Sequence, residues 1–517
     1  MTEPVFADSN IATSHLSDSE VVNNIRSENA GGRHDQHIEL PAEAAQTGSS
    51  VQKETKTLGV QTARGRTLVL CFDGTAGQYD NKNSNVVKLC SLLSKDPAGQ
   101  LCYYQPGVGT YFKPGIVSPL LRWGAKLMDL GIAWYLNEHV LDGYKFIMQN
   151  YSHGDNICLF GFSRGAYTAR ALAGMLHKVG LLPRDNHAQM PFAFKLYQRE
   201  DQAGLNLCAG FKRTYCHNVA VDFVGVWDTV ASVGALMGRT LPFTNSNASI
   251  RTFRHALALD ERRARYRPNM WHRAPPKVKA PIFSKTAEAP PEHVLPPRQD
   301  SQSSSSSEED VVSRPHKRMS IFKRAFTVAG TDPEKAAYAS VRDDKGRIPR
   351  NSTDGQNDVL EVWFSGCHSD VGGGAVQNGA KHSLSYITLR WMVRQAASTG
   401  SGVKFNLEAL AKAGIDIEDS AAQGPLDEMD KADLAEDVHD KLKKMPLWWI
   451  LEIMPMTYVW QDKENKWHRS WKWHLGKGRT IHDHHPKLHE TVRVRTLQKD
   501  DYKPKAKWEE GNETYVR

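Results

Sequence analysis

Mainly apolar runs that each end in a polar turn recur along the chain, and they constrain its fold more than any other feature. RTLVLCFDGT (66–75), NICLFGFS (156–163) and NVAVDFVGVWDTV (218–230) show no sustained alternation of polar and apolar residues. Such runs are typical of strands buried on both faces of a parallel sheet. Two further strands are predicted in QLCYYQPGVGTY (100–111), which continues into a Gly-rich loop, and in DVLEVWFSGCHSDVGGG (358–374).

Helical patterns separate these predicted strands. GIAWYLNEHVLDGYKFIMQNY (131–151) and RGAYTARALAGMLHKVG (164–180) each place apolar residues on one helical face. Gly180 and Pro183 supply stop signals after the second helix. Strands that alternate with helices form parallel sheets covered by helices on both faces. The sequence therefore predicts an α/β fold with a doubly wound, mostly parallel sheet.

Composition divides the chain into five parts. Residues 1–62 are polar and aperiodic, so we expect a disordered N-terminal tail. Residues 63–274 and 358–400 carry the strand–helix pattern and form the two parts of the α/β domain. Between them, residues 275–357 are rich in Pro and Ser and are predicted to be a largely disordered, low-complexity insertion. Residues 401–517 are interpreted as a helical, Trp-rich extension that ends in a basic tail.

Charge and cysteine content limit the expected partners and the expected compartment. The net charge of +8 is small for 517 residues, and no basic block is interleaved with aromatic residues. We therefore expect no nucleic-acid partner. The seven cysteines are widely spaced, and the N-terminus has neither a basic nor an apolar signal region. Together these features predict a cytoplasmic protein with free thiols and no signal peptide.

One aromatic segment leaves two interpretations open. No run of 18 apolar residues exists in the chain, so no transmembrane helix is predicted. The nearest candidate, MPLWWILEIMPMTYVW (445–460), is too short and contains Glu452, Pro446 and Pro455. The favoured interpretation is a buried C-terminal segment. The alternative is an exposed Trp-rich surface in peripheral contact with a membrane.

The motif GFSRG (161–165) lies between a predicted buried strand and a predicted amphipathic helix. In that position a sharp turn exposes the hydroxyl of Ser163, and the flanking glycines avoid collisions with the neighbouring strand and helix. The start of the helix adds backbone N–H groups and the positive end of a dipole where negative charge develops on a substrate. Ser163 is therefore the predicted nucleophile.

A serine nucleophile needs a base and a carboxylate that orients the base. Asp228 directly follows an apolar strand, at the carboxyl edge where open α/β sheets hold their sites. His368 follows a later strand in a Gly-rich loop. The chain order serine, aspartate, histidine predicts that these residues form a triad with Ser163. Structural roles for Asp228 and His368 are the alternatives, with His382 or His217 as rival bases.

Two backbone donors are expected to face the oxyanion of an acyl-transfer intermediate. One is the N–H of Arg164 at the start of the helix. The other is the N–H of Thr75 in the loop after the first core strand, where Gly74 allows a close approach. The rest of the site is predicted to be lined by Asp73, Gly107, Gly109, Phe162 and Asp370.

This chemistry requires neither a metal nor an organic cofactor. The densest histidine cluster, IHDHHPKLHE (481–490), lies in a basic, Pro-broken segment. It lacks the two-histidine helical spacing of zinc enzymes, so a metal site there is the less favoured interpretation. We therefore predict no metal and no cofactor.

Five sequence blocks, in order along the chain, resemble the DUF2235 family, which includes the Tle1-like phospholipase effectors of bacterial type VI secretion. They are LVLCFDGTAGQ, YYQPGVGT, GFSRGAYTAR, GVWDTVASVG and GCHSDVGGG. ALALDERRARYRP and GKGRTIHDHHPKLHETVRVR also look like family blocks. The resemblance implies an α/β-hydrolase fold and a lipolytic esterase whose triad is Ser163, Asp228 and His368. The polar tail and the insertion point to a eukaryotic, fungal-like member.

The favoured function is hydrolysis of a carboxylic ester in a lipid or phospholipid, through an acyl-enzyme on Ser163. Acyl transfer or thioester hydrolysis by the same triad stays open, as does a non-catalytic interaction module that keeps the fold. Because His368 must be neutral to act as the base, hydrolysis is expected to rise with pH through about 6.5 to 7.

Overall fold

The computed structural model describes most of the predicted α/β domain and of the C-terminal part. The described residues are 65–75, 77–107, 125–230, 241–272, 357–417, 426–463 and 466–517. The predicted N-terminal tail, the predicted insertion up to residue 356, and the predicted site residue Gly109 lie outside them. For residues 125–135 only the backbone is described.

Eight parallel strands form one central sheet in the order β10-β9-β6-β5-β4-β3-β1-β2. These strands are β1 (Thr67–Phe72), β2 (Gln100–Gln105), β3 (Asn156–Phe162), β4 (Val221–Trp227), β5 (Ile250–Ala258), β6 (Asp358–Phe364), β9 (Lys487–His489) and β10 (Thr514–Val516). The strand order reverses between β1 and β3, because β2 and β3 lie on opposite sides of β1. Open α/β sheets bind ligands outside the carboxyl ends of the strands at such a reversal.

Twelve α-helices lie in the described residues, and none of these is long and apolar enough to cross a membrane. They are α1 (Asn85–Leu92), α2 (Ala125–Asn150), α3 (Arg164–Val179), α4 (Met190–Gln198), α5 (Gln202–Tyr215), α6 (His368–Gly372), α7 (Leu384–Ser398), α8 (Leu407–Lys412), α9 (Glu428–Asp433), α10 (Lys441–Lys444), α11 (Trp449–Glu452) and α12 (Glu490–Gln498). A separate antiparallel hairpin consists of β7 (Met456–Gln461) and β8 (Trp467–Lys472).

The central strands are buried between two apolar cores, one on each face of the sheet. In β1, Leu68 and Leu70 belong to the core that includes α2 and α3, whereas Val69 and Cys71 belong to the core that includes α1 and α7. Complete burial of one such side chain contributes about 1.5–3 kcal/mol, so both faces of the strand favour apolar residues. The predicted α/β class with a doubly wound, mostly parallel sheet is confirmed.

Strand β5 does not belong to the strands predicted from the sequence, because two charged or polar residues interrupt its apolar run. Arg254 is buried and its guanidinium donates to the Asp358 carboxylate at 2.6 Å. His255 is also buried, with Nδ1 2.8 Å from the Glu361 carboxylate. Both partners lie on the neighbouring strand β6, more than 100 residues along the chain. Only the folded sheet brings these partners together, and pairing makes their burial possible.

The C-terminal part differs from the helical extension expected for residues 401–517. Strands β9 and β10 extend the edge of the central sheet, and the β7–β8 hairpin lies apart from that sheet. Leu488 of β9 pairs with Trp363 of β6. Strands of three residues are too short to show a recognisable alternation of polar and apolar residues.

Candidate active site

A sharp turn between β3 and α3 carries Ser163. Its backbone angles, φ 58° and ψ −119°, lie in a region that L-residues rarely adopt. The neighbouring glycines are required by close packing. A Cβ on Gly161 would lie 2.5 Å from the Gly165 carbonyl oxygen, and one on Gly165 would lie 2.2 Å from the Phe72 carbonyl oxygen. The structure therefore has the sharp strand-to-helix turn that the GFSRG motif predicts.

Three residues that the sequence analysis assigns to a triad meet at the carboxyl edge of the sheet. Ser163 follows β3, Asp228 follows β4, and His368 begins α6 shortly after β6. His368 Nε2 lies 2.8 Å from Ser163 Oγ, and His368 Nδ1 lies 2.5 Å from Asp228 Oδ2. All three side chains are buried, including that of Ser163, which the sequence analysis expected to be exposed. The rival histidines have other surroundings, since His382 contacts Asp433 and the backbone of His217 pairs with Leu181.

The Asp228 carboxylate is held by Arg479, a residue that the sequence analysis did not select. Arg479 Nη1 donates to Asp228 Oδ1 at 2.6 Å, and Nη2 donates to Oδ2 at 2.9 Å. Burial by itself raises the pKa of the Asp228 carboxyl. The Arg479 guanidinium and His368 more than offset this effect, so the pKa lies well below its usual range. Asp228 is therefore a carboxylate whenever the protein is folded near neutral pH.

The backbone fixes both partners of this ion pair. The N–H of Ala258, at the end of β5, donates to Asp228 Oδ1 at 3.0 Å. Arg479 donates in addition to the carbonyl oxygens of Ala258 and Tyr266. Arg479 lies in the segment GKGRTIHDHHPK, where nothing distinguishes a buried arginine from its exposed basic neighbours. The resemblance of this segment to a family block was the one sequence signal that could have pointed to Arg479.

His368 is enclosed by aromatic rings. The Phe162 ring lies 4.6 Å from its ring, and the Tyr266 ring meets it edge-on at 4.7 Å. Burial lowers the pKa of His368 below the usual 6.5, and the nearby Asp228 carboxylate offsets only part of that effect. The imidazole is therefore neutral at neutral pH, the form in which it can accept a proton.

The loop after β1 lies beside the elbow. A Cβ on Gly74 would be 3.3 Å from the Ser163 Cβ, and the Arg164 guanidinium donates to the Thr75 hydroxyl. Gly107 packs against this loop so closely that a Cβ would lie 1.5 Å from the Gly74 carbonyl oxygen. The predicted oxyanion-hole residues are thus close to Ser163, with the N-terminus of α3 on one side and the β1 loop on the other.

Two predicted lining residues, Asp73 and Asp370, make contacts that support neighbouring parts of the site. Asp73 accepts from the N–H of Gly74 at 2.7 Å and from the Tyr104 hydroxyl at 2.9 Å, so it holds the β1 loop. Asp370 Oδ2 accepts from the N–H of Cys367 at 2.9 Å, and its Oδ1 lies 2.8 Å from His439 Nδ1. The Asp370 side chain therefore fixes the start of α6, which carries His368, to the C-terminal part.

A second buried ion pair, which the sequence analysis also missed, supports His368. Glu261 Oε2 accepts from the N–H of His368 at 3.2 Å and from Arg263 Nη2 at 2.8 Å. Burial raises the pKa of Glu261, but Arg263 more than offsets this effect and holds the pKa below its usual value. The Arg263 guanidinium also stacks over the Tyr266 ring, 3.5 Å from its centroid. Glu261 and Arg263 lie in the block ALALDERRARYRP, where they look like solvated charges.

The histidine cluster of residues 481–490 is dispersed in the structure. His482 stacks on the Trp460 ring, and His489 is buried as the N-cap of α12. In the part of the chain that the structure describes, no group of three or more His, Cys, Asp or Glu side chains is placed to hold a metal ion.

Fold and site together define an α/β protein with a serine elbow at the carboxyl edge of a parallel sheet. Residues 66–395 match the family model described as "T6SS, Phospholipase effector Tle1-like, catalytic domain". The match covers more than half of the chain, so the chain belongs to this family, as the resemblance to DUF2235 implied.

Relatives extend the comparison. An uncharacterised protein of Saccharomyces cerevisiae, YEL023C, is 27% identical, over 86% of this chain and 80% of its own length, which agrees with the expected eukaryotic membership. A structure of an uncharacterised Pseudomonas aeruginosa protein matches 74% of this chain and 52% of its own, with 16% identity and a TM-score of 0.32. The structure of the Tle1 effector bound to the VgrG spike of the type 6 secretion system matches 40% of this chain and 47% of its own, with 19% identity and a TM-score of 0.22. This chain spans about half the length of each solved chain.

Proposed function

We propose that the protein is a serine hydrolase that cleaves carboxylic esters of lipids, with Ser163 as nucleophile, His368 as base and Asp228 as orienting carboxylate. The observation that carries the proposal is the continuous hydrogen-bond path from Ser163 Oγ through the imidazole of His368 to Asp228, at 2.8 and 2.5 Å. Membership in a family described as phospholipase catalytic domains supports a lipid substrate.

In the first half of the reaction, Ser163 Oγ attacks the carbonyl carbon of the ester while its proton passes to His368 Nε2. The resulting oxyanion is stabilised by backbone N–H groups at the start of α3 and in the β1 loop. Collapse of this intermediate breaks the bond to the leaving alkoxide, which takes the proton from His368 and departs as an alcohol. The acyl group remains on Ser163.

In the second half, water gives a proton to His368 Nε2 and attacks the acyl carbon. The carboxylic acid then leaves, and the proton returns to Ser163 Oγ. Asp228 accepts the Nδ1–H of His368 throughout and stabilises the transient imidazolium. Arg479 keeps Asp228 charged and fixed in position, because it occupies both carboxylate oxygens.

Labelling with a fluorophosphonate probe tests the proposal directly. The wild-type protein is expected to be labelled, whereas Ser163→Ala and His368→Ala are not, and Ser163→Ala lowers kcat for a short p-nitrophenyl ester by at least about 10³-fold. Ser398→Ala, at an exposed position of α7, is the matched control and is expected to react like the wild type. Equal labelling of Ser163→Ala, or no labelling of folded wild type, would refute the assignment.

A further inference from the structure

Exposed apolar side chains are concentrated in residues 441–477, which we call the aromatic segment. Of the eighteen large hydrophobic side chains that are exposed in the described residues, eleven lie in this segment. They are Met445, Leu447, Trp449, Ile450, Ile453, Met454, Val459, Trp467, Trp471, Trp473 and Leu475. Exposed apolar groups scattered singly are ordinary, but a concentration of this kind indicates an interaction surface.

The hairpin within the aromatic segment has two different faces. On the inner face, Tyr458 lies under the Arg267 guanidinium, and Trp460 stacks on His482. On the outer face, the strand register places Val459 opposite Arg469 and Thr457 opposite Trp471. Trp471 is 67% exposed. The outer face thus presents aromatic and basic side chains to the surroundings, while the inner face already has partners.

The aromatic segment is also basic. It contains eight Lys or Arg residues and three Asp or Glu residues. One of the three, Glu452, is fully buried and bound to His474 Nδ1 at 2.6 Å, and another, Asp462, lies 2.6 Å from His468 Nε2. The exposed cations are Lys443, Lys444, Lys463, Lys466, Arg469, Lys472 and Lys477. The apolar surface is therefore interspersed with positive charge.

We propose that the aromatic segment is a docking surface for a membrane that carries anionic headgroups. Trp side chains favour the boundary between headgroups and acyl chains, and Lys and Arg beside them are attracted to anionic lipids. A buried protein interface would have to desolvate these lysines, whereas a headgroup layer solvates and neutralises them. The mixture of Trp, Leu and Ile with exposed Lys therefore fits a lipid surface better than a protein surface.

Two ring contacts connect the aromatic segment to the candidate active site. Leu447 and Trp449 point outward, and Trp448 between them packs edge-on against Tyr266 at 5.6 Å. Tyr266 in turn contacts the His368 ring. A membrane that binds the aromatic segment therefore lies next to the candidate active site around His368. The use of this position to deliver a lipid substrate rests on the proposed function, whereas the docking itself does not.

Buried contacts hold the aromatic segment in this position. The Glu452 carboxylate accepts from the N–H groups of Ala264 and Gly476, at 2.6 and 3.0 Å. Arg262 donates to the Asp440 carboxylate at 2.7 Å. The exposed face is thus presented from a fixed support, next to the residues that surround His368.

Vesicle co-sedimentation of the full chain carrying Ser163→Ala, which prevents lipid turnover, tests the docking. Binding is expected to phosphatidylcholine vesicles that contain phosphatidylserine, and to be much weaker without it. Adding Trp471→Ser and Trp473→Ser lowers binding by at least about tenfold, because apolar burial is lost. Adding Lys443→Glu and Lys444→Glu lowers it by about 25-fold or more, since each cation near an anionic surface contributes about fivefold.

Leu497→Ser is the matched control, because Leu497 is 73% exposed but lies outside the aromatic segment, on α12. Its binding should equal that of the parent. Absent binding, equal binding to neutral vesicles, or binding unchanged by the Trp replacements would each overturn the docking. So would a Trp-dependent self-association in gel filtration without vesicle binding, since a second copy would then be the occupant.

Hydrolysis of a short, water-soluble ester by the protein with Ser163 intact separates the two proposals. If the Trp variant hydrolyses this ester at the wild-type rate but no longer binds vesicles, both proposals stand. If vesicles bind but Ser163-dependent hydrolysis is absent, the docking stands and the proposed function fails. If hydrolysis occurs but vesicles do not bind, the docking fails and the proposed function stands.

Discussion

The rim around Ser163 and the aromatic segment both contain many charged residues, but they place these charges in opposite environments. In the rim, His368, Asp228, Arg479, Glu261 and Arg263 are each at most 6% exposed, and every one has a charged or hydrogen-bonding partner. In the aromatic segment, seven of the eight cations are exposed to solvent. A buried charge requires a partner at a fixed distance, whereas an exposed charge needs none.

This difference fits the two proposed roles. Fixed partners hold an imidazole and a hydroxyl in one geometry, which general base catalysis requires. Exposed lysines and tryptophans can adapt to a surface that has no fixed structure. Arg479 belongs to the rim although it lies only two residues beyond the exposed Lys477. Substitutions at or near the rim are therefore the best way to test whether the two regions act separately.

The largest effect is expected from Arg479→Met. It leaves Asp228 buried without its cation, and breaking one partner of a buried pair costs about 3–5 kcal/mol of unfolding free energy. We expect kcat for a soluble ester to fall by about 10²-fold with KM little changed, because the imidazole loses its fixed support. Steady-state kinetics measures the fall in kcat, and urea unfolding measures the loss of stability. Under conditions in which the variant is folded, its binding to vesicles should be unchanged.

The pH profile distinguishes a positioning role of Arg479 from general destabilisation. Removing the guanidinium takes a positive charge away from the Asp228–His368 pair, which favours the protonated imidazole. The pKa of His368 should therefore rise, and the acidic limb of kcat/KM should move to higher pH. Arg479→Lys keeps the charge but loses the two-pronged contact, and partial recovery of kcat is expected. An acidic limb that stays in place in Arg479→Met would contradict the positioning role.

Gly107→Ala is expected to lower kcat to a similar extent but to have a smaller total effect, because it disturbs the β1 loop without breaking a buried ion pair. The new Cβ would lie 1.5 Å from the Gly74 carbonyl oxygen, so the backbone at Gly107 or the β1 loop must shift. Loss of one oxyanion donor lowers kcat by about 10²-fold. Stopped-flow acylation with a p-nitrophenyl ester measures this step.

Gly210→Ala is the control for this substitution. Gly210 lies in α5, and nothing lies within 4 Å of a Cβ built there. Its rate is expected to be that of the wild type, and its unfolding free energy to rise by up to about 1 kcal/mol through helix propensity. A wild-type rate for Gly107→Ala as well would show that the β1 loop does not stabilise the oxyanion.

The smallest effect concerns the pH dependence of the wild-type protein. Burial lowers the pKa of His368 below 6.5, so the neutral, proton-accepting form persists to more acidic pH than in an exposed histidine. Activity toward a soluble ester is lost as the pH falls through that lowered pKa. We therefore expect half-maximal kcat/KM below pH 6.5, lower than the sequence alone suggested. A midpoint at pH 7 or above would contradict this expectation.

The sequence contained enough information to predict the fold class and the three residues of the proposed triad. Ser163, Asp228 and His368 each follow a mainly apolar strand, and the carboxyl ends of parallel strands meet at one edge. Whether they catalyse a reaction stays a prediction. Strand β5 was missed because Arg254 and His255 look like surface residues until their partners on β6 are known.

Local patterns decide what the sequence can determine by itself. Apolar runs, helical periodicity and the GFSRG turn depend on residues within a few positions of one another, so they can be recognised without the fold. The ion pair of Arg479 with Asp228 joins residues 251 positions apart, and Asp370 is 69 positions from His439. Burial and pairing of such groups arise only when distant segments pack together. The tertiary structure alone therefore decided which charges support the site and which face the solvent.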